Sequence, residues 1–331
     1  VYRKTDRRVS ETIFDGIGMG DMCRKIVITG PTGAVGMALI QKCIENKAHV
    51  LALCHKGSKR ISNIPHSPYV TVREVELSKL QEINPAEGET YDAFFHLGWV
   101  GTTGEGRNDM QLQCKNIEYT IEAVKLAARF GCHTFIGAGS QAEYGRVEGK
   151  LTPKTPAFPE NGYGMAKLCA GQMSRALCEK YGIKHIWVRI LSVYGPFDGE
   201  NTMISSTIKK LLSGGHAGFT PGEQEWDYLY SEDAAEALWR LSERGISGKV
   251  YVLGSGEKKP LAEYIGELHR AVAEAVPEPG TLGIGELPYA PKQVMCLCAD
   301  IAELTADTGF LPETSFTEGI RRTVNGILEM Q

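Results

Sequence analysis

The chain has 331 residues, with 36 lysines and arginines against 40 aspartates and glutamates, for a net charge of −4. That length accommodates a large α/β domain with a smaller one beside it, and that balance supplies no basic field for nucleic acid. No apolar run reaches membrane-spanning length, and the nine cysteines lack C-x-x-C spacing, so reduced thiols in a cytoplasmic setting are expected and no metal site is.

Residues 1–22 carry Arg3, Lys4, Arg7 and Arg8 and a glycine-rich run but no apolar signal core. They are expected to be a poorly ordered extension without chemistry. The first predicted strand is Lys25-Ile26-Val27-Ile28-Thr29, and it runs into Gly30, Gly33 and Gly36. A helical pattern follows at once, with Met37, Leu39, Ile40, Cys43 and Ile44 on one face. Strand, tight glycine turn and helix form a dinucleotide-binding unit. The glycines let the backbone approach a pyrophosphate, and the helix N-terminus offers it free N–H groups. Gly30, Thr32, Gly33, Ala34, Val35 and Gly36 are therefore candidate cofactor contacts.

The second predicted strand, His49 to Cys54, is followed by His55-Lys56-Gly57-Ser58-Lys59-Arg60, and no acid occurs between Glu45 and Glu74. An acid at this place holds the ribose 2′-hydroxyl of NAD, whereas basic residues accommodate the 2′-phosphate of NADP. His55, Lys56, Lys59 and Arg60 thus favour NADP(H), with NAD(H) as the alternative. Further strands are predicted at Tyr69–Val75, Tyr91–Leu97, Thr134–Gly137 and His185–Leu191, and helices at Asp109–Phe130 and Asn161–Tyr181. The alternation predicts a doubly wound parallel α/β sheet over residues 23–196. Beyond Gly195-Pro196 the pattern loosens. Helices are expected at Thr202–Leu212, Ser231–Ser242 and Leu261–Val276, a strand at Lys249–Leu253, a loop at Pro277–Pro291, and closing helices at Ile301–Leu304 and Phe316–Leu328. This predicts a smaller substrate-binding part over residues 197–331, with segments near 226–255 returning to the sheet, and a ligand in the cleft between the parts.

Tyr163 and Lys167 stand four apart at a helix start and share a face. A tyrosine is a poor base at neutral pH, and a fixed positive charge beside it favours the phenolate. On that reading Lys167 lowers the pKa of Tyr163, which exchanges a proton with a sugar hydroxyl or ketone. Ser140, just past the strand that begins at Thr134, is placed to hold the same substrate oxygen.

Together these residues resemble the extended short-chain dehydrogenase/reductases, the NAD-dependent epimerase/dehydratase family, from about Lys25 to Gly254. The resemblance is carried by Gly30, Gly33 and Gly36; by His96-Leu97-Gly98; by Ser140 four residues before Tyr144-Gly145; by Tyr163 and Lys167; by Arg189 with Val193-Tyr194-Gly195-Pro196; and by Asp227-Tyr228-Leu229-Tyr230 before Asp233. It implies a Rossmann-type domain over residues 23–196, a nicotinamide cofactor, usually a nucleotide-sugar substrate, a Ser140/Tyr163/Lys167 catalytic set, and a homodimer built from the helices holding Asn116–Phe130 and Asn161–Tyr181. The candidate cofactor contacts then extend to Leu77, Leu97, Gly98, Tyr163, Lys167 and Leu191. The candidate substrate contacts are Trp99, Thr102, Gln141, Ser192, Asn201, Trp226 and Lys292.

The chain also departs from the pattern. Gln141 and Ala142 stand where sugar-nucleotide 4,6-dehydratases carry an Asp-Glu pair, so a dehydratase is not expected. Trp226 stands where an arginine commonly binds the substrate pyrophosphate, and Lys292 is the nearest later cation. The expected activity is that of an NADPH-dependent 4-ketosugar reductase. The alternatives are a nucleotide-sugar 4-epimerase that keeps its cofactor through turnover and a non-catalytic NADP-sensing or scaffold protein.

Overall fold

In the computed structural model, which describes residues 23–330, the first strand is β1 (Lys25–Thr29), and its side chains alternate between two cores. Ile26 and Ile28 join one apolar cluster and Val27 the other, as period-two side chains of a sheet covered on both faces must. The chain continues through α1 (Ala34–Glu45), β2 (His49–Cys54), β3 (Val70–Glu74), β4 (Ala93–His96), α2 (Met110–Arg129), β5 (Thr134–Ser140), α3 (Gly162–Tyr181) and β6 (Lys184–Ile190). The expected extension over residues 1–22 lies outside the described residues.

After β6 come β7 (Ser192–Tyr194), α4 (Met203–Leu212), β8 (His216–Phe219), β9 (Glu225–Trp226), β10 (Tyr228–Tyr230), α5 (Ser231–Arg244) and β11 (Val250–Leu253). The chain ends through β12 (Lys259–Pro260), α6 (Leu261–Ala275), β13 (Thr281–Ile284), α7 (Ala302–Thr308) and α8 (Phe316–Glu329). The main sheet has seven strands in the order β11-β6-β5-β4-β1-β2-β3, and every pairing in it is parallel. The chain builds outward from β1 to β3 on one side and from β4 on the other. The order therefore reverses between β1 and β4, and ligands bind outside the carboxyl ends of the strands at such a switch point.

Helices α1 and α5 pack together over one face of the sheet, and α2 and α3 over the other. Local sequence marks their ends. Asp109 caps α2 by accepting from Leu112 N at 3.0 Å, Asn161 caps α3 by accepting from Gly164 N at 2.8 Å, and left-handed Gly182 (φ 69°) terminates α3. A third cluster joins α4, α6 and α8 to Tyr194 and Tyr230, which lie on the parallel pair β7–β10.

The region expected to be a loop, Pro277–Pro291, contains β13, which pairs in parallel with β8 (Leu282 opposite Ala217). Its partner lies more than sixty residues earlier in the chain. The strand is made by that non-local ladder and not by an apolar pattern of its own.

Candidate functional site

The glycine turn after β1 is shaped by close approach. Gly30 adopts the left-handed φ of 68°, and a Cβ there would lie 2.7 Å from Gly98 N, at the end of the neighbouring β4. A Cβ on Gly36 would lie 2.5 Å from Gly30 O. Gly33 is the N-cap of α1 and contributes no side-chain cap, so the first-turn N–H groups have no side-chain acceptor. This cradle fits a dinucleotide pyrophosphate. Ala34 is buried and Thr32 and Val35 half-buried along it. Gly98 donates to Thr29 Oγ1 at 3.2 Å, and the Leu77 side chain lies against it. Leu97 packs on the core beneath β1, and Leu191 is buried at the end of β6.

The basic loop after β2 is less uniformly basic in space than along the chain. Cys54 and Glu74 are cross-strand partners, so β3 delivers acids to it. Glu74 accepts from Gly57 N at 2.7 Å, and Glu76 lies 3.2 Å from His55 Nε2. Arg60 is committed to the Phe197 carbonyl. Lys56 and Lys59 are exposed and have no ion-pair partner among the described residues.

Ser140 ends β5 and caps the 3-10 turn Gln141–Glu143, where its Oγ accepts from Ala142 N at 3.2 Å. The turn touches the first turn of α3 so closely that a Cβ on Gly164 would lie 2.2 Å from Ala142 O. Only glycine permits this approach, and it sets Tyr163 beside Ser140, whose hydroxyl acts on the phenol to lower its pKa. Below the turn, Glu143 is fully buried. It accepts from Ser140 N at 2.9 Å and Trp187 Nε1 at 2.9 Å, and pairs with Arg189 Nε at 2.7 Å. The Arg189 guanidinium also lies 4.4 Å from the Tyr144 ring centroid. Sequence reasoning missed Glu143 as the floor of the site; its position three residues after a capping serine is the local signal for a reciprocal cap.

Lys167 is placed differently from the expectation. Its Nζ donates to Ala138 O at 2.6 Å and sits 3.8 Å from the Trp99 ring centroid, against 5.8 Å from that of Tyr163. Burial pushes its pKa down to about 7, with Glu143 opposing. Burial also pushes the Tyr163 phenol up. The Ser140 hydrogen bond and the Arg107 charge pull it back, and Glu143 adds to the rise. The expected depression of Tyr163 by Lys167 is thus corrected. The ammonium is turned to a carbonyl and an indole, and the positive charge acting on Tyr163 is Arg107, with its Cζ 4.3 Å from the ring centroid. Arg107 is a second residue the sequence reading missed, and nothing in its local sequence signals the role.

The candidate substrate residues divide into two groups. Trp99 meets Tyr163 edge-on at 6.0 Å between centroids and donates to Gln113 Oε1 at 2.9 Å. Thr102 is exposed, with its carbonyl accepting from Arg107 Nη1 at 2.9 Å, and Gln141 directly follows Ser140. Ser192 and Trp226 are brought together, with Trp226 Nε1 donating to Ser192 Oγ at 2.8 Å. Asn201 is exposed before α4. Lys292 is exposed in a left-handed conformation (φ 66°), and its charge acts on Glu160, which Arg146 already grips at 2.8 Å. No cation lies over the Trp226 ring among the described residues.

A model of the NAD dependent epimerase/dehydratase family matches residues 26–254. Among curated proteins, the chain is 24% identical over 92% of its length to a dTDP-glucose 4,6-dehydratase of Neisseria meningitidis, 94% of which is covered. Among solved structures it resembles a UDP-N-acetylglucosamine 4-epimerase from Methanobrevibacter ruminantium (TM-score 0.81, 20% identity, covering 93% of this chain and 99% of that one). It also resembles an epimerase from Methanothermobacter thermautotrophicus (TM-score 0.82, 19% identity, 93% of each chain). These findings overturn the exclusion of 4,6-dehydratases, because several of the curated relatives carry that name at 23–24% identity. The exclusion rested on Gln141 and Ala142 alone. Two side chains in one turn do not outweigh similarity along nearly the whole chain. The family model spans the glycine cradle, the strands that carry it and the Ser140–Tyr163 contact, and the chain belongs to the NAD dependent epimerase/dehydratase family.

Proposed function

We propose that this protein exchanges a hydride between a nicotinamide dinucleotide and a secondary carbinol or ketone of a nucleotide-linked sugar, with 4-ketosugar reduction by NADPH as the first reading. The observation that carries it is the contact between Tyr163 and Ser140 at the carboxyl end of β5, one strand from the switch point. When bound, the nicotinamide supplies or accepts the hydride. Tyr163 carries the compensating proton on its phenol oxygen, and Ser140 Oγ holds the same substrate oxygen. Lys167, fixed on Ala138 O, would hold the nicotinamide ribose. Exposed Lys56 and Lys59 favour a 2′-phosphate.

A nucleotide sugar is favoured by the names of the relatives. Trp226, tied to Ser192, offers a stacking face for it in place of a guanidinium. The 4-epimerase reading is favoured by the structural likenesses; such an enzyme would regenerate its cofactor each cycle where a reductase consumes it. Exposed Met165 and Met173 on α3 support a homodimer through α2 and α3.

The test is Tyr163→Phe, which keeps the ring and removes the proton carrier. With a panel of UDP- and dTDP-linked sugars and ketosugars, turnover should fall at least about a hundredfold while cofactor affinity is retained. Undiminished turnover in Tyr163→Phe would refute the assignment.

A further inference from the structure

We propose that Arg107, on the turn between β4 and α2, is a positioning residue that orients Tyr163 and adds positive charge beside its phenolate form. The inference rests on Tyr163 as the proton carrier and adds the group that tunes it. Its first support is placement. The guanidinium lies over the face of the phenol ring, 4.3 Å from the centroid, where a cation is attracted to the π-face and gains further when the ring becomes anionic.

The second support is bracing. Arg107 Nη1 donates to Thr102 O at 2.9 Å. The turn beneath it is held from α2 by Gln113, whose Nε2 donates to Gly101 O at 2.9 Å and to Gly106 O at 2.7 Å. It is held from α3 by Gly162 N, which donates to Asn108 Oδ1 at 3.2 Å. A Cβ on Gly162 would lie 3.0 Å from Arg107 O, so the arginine's backbone is seated against the first residue of the helix that carries Tyr163. A side chain on a loose loop would have no such anchors.

The third support is electrostatic. The charged groups around Tyr163 are Arg107 from the β4–α2 turn, Glu143 from the turn after β5, and Lys167 from α3 itself. Glu143 is paired with Arg189 and still pushes the phenol up. Lys167 is given to Ala138 O and the face of Trp99. Arg107 has no carboxylate within ion-pair distance among the described residues, and its charge draws the phenol downward against the effect of burial.

The experiment reads the phenolate directly and needs no substrate. Nitration of Tyr163 by tetranitromethane follows its phenolate fraction. It is measured on the full chain at mildly alkaline pH, by mass spectrometry of the peptide that contains Tyr163. Arg107→Gln, which keeps a donor for Thr102 O but no charge, should slow nitration about tenfold, because the phenolate fraction falls when the charge is removed. Arg107→Lys should restore most of the wild-type rate. If Arg107 merely shields the ring, Arg107→Gln will nitrate as fast as wild type or faster, and that result overturns the proposal; so does Arg107→Lys behaving like Arg107→Gln. Because no turnover is involved, failure here is separable from failure of Tyr163→Phe to abolish activity.

Discussion

Lys167 should make the stability of this protein rise with pH, and the amount follows from its burial. The side chain is 4% exposed, and desolvation brings its pKa to about 7 in the folded chain. In the unfolded chain it titrates near the ordinary lysine value of about 10.4. A folded-state pKa depressed below the unfolded one means that, between those values, the unfolded chain holds a proton that the folded chain has released. The unfolded state then binds more protons, and stability climbs with pH across that window. Below about pH 7 both states are protonated and this contribution is flat. From about pH 7 to about pH 9 the proton difference grows from roughly half to nearly one, which integrates to about 2 kcal/mol. Lys167→Met keeps the aliphatic stem and deletes the titration. The assay is urea unfolding of wild type and variant at both pH values. Wild type should gain about 2 kcal/mol on the variant between them. Parallel pH dependence in the two proteins would show that Lys167 is not desolvated as its contacts imply.

Two other perturbations address the floor of the site and the cofactor. Glu143→Ala strands the Arg189 guanidinium, of which 6% of the side chain is exposed, and should cost about 3–5 kcal/mol; Glu143→Gln, which keeps acceptors for Ser140 N and Trp187 Nε1, should cost less, and an unchanged Tm in Glu143→Ala would remove the pair from its structural role. Neutralising Lys56 and Lys59 together, with Arg60 left on the Phe197 carbonyl, should weaken NADPH about tenfold and NADH little; equal affinities of wild type for the two by calorimetry would remove the basis for the NADP reading and favour the epimerase.

The scaffold was legible because its signals are local. The run from Lys25 to Gly36 contains both the strand and the glycines, and those glycines fit only where β1 nears β4 and α1 begins. Asn161 and Gly182 mark both ends of α3, so the helix carrying Tyr163 and Lys167 could be placed from its caps. β13 could not, because its partner β8 is remote in sequence. Nor could the exclusion of dehydratases survive, since it weighed Gln141 and Ala142 without the rest of the chain.

Charge was the least legible property, and for one physical reason: a Coulomb interaction depends on distance in space and takes no account of separation along the chain. The run His55–Arg60 contains no acid, yet parallel pairing of β2 with β3 sets Glu74 and Glu76 against it. Tyr163 and Lys167 share a helical face, yet a carbonyl on β5 and the indole of Trp99 draw the ammonium aside. The cation that faces Tyr163 arrives instead on a turn more than fifty residues earlier in the chain. On the proposed chemistry, the motif residues specify which atoms would exchange protons and hydride, and neighbours that the motif does not contain would set the pH at which they do so. Two chains of this family with the same Ser-Tyr-Lys residues should therefore differ in pH optimum according to what occupies the β4–α2 turn. Exchanging the Trp99–Asn108 segment between them should carry the optimum with it while the reaction catalysed stays the same.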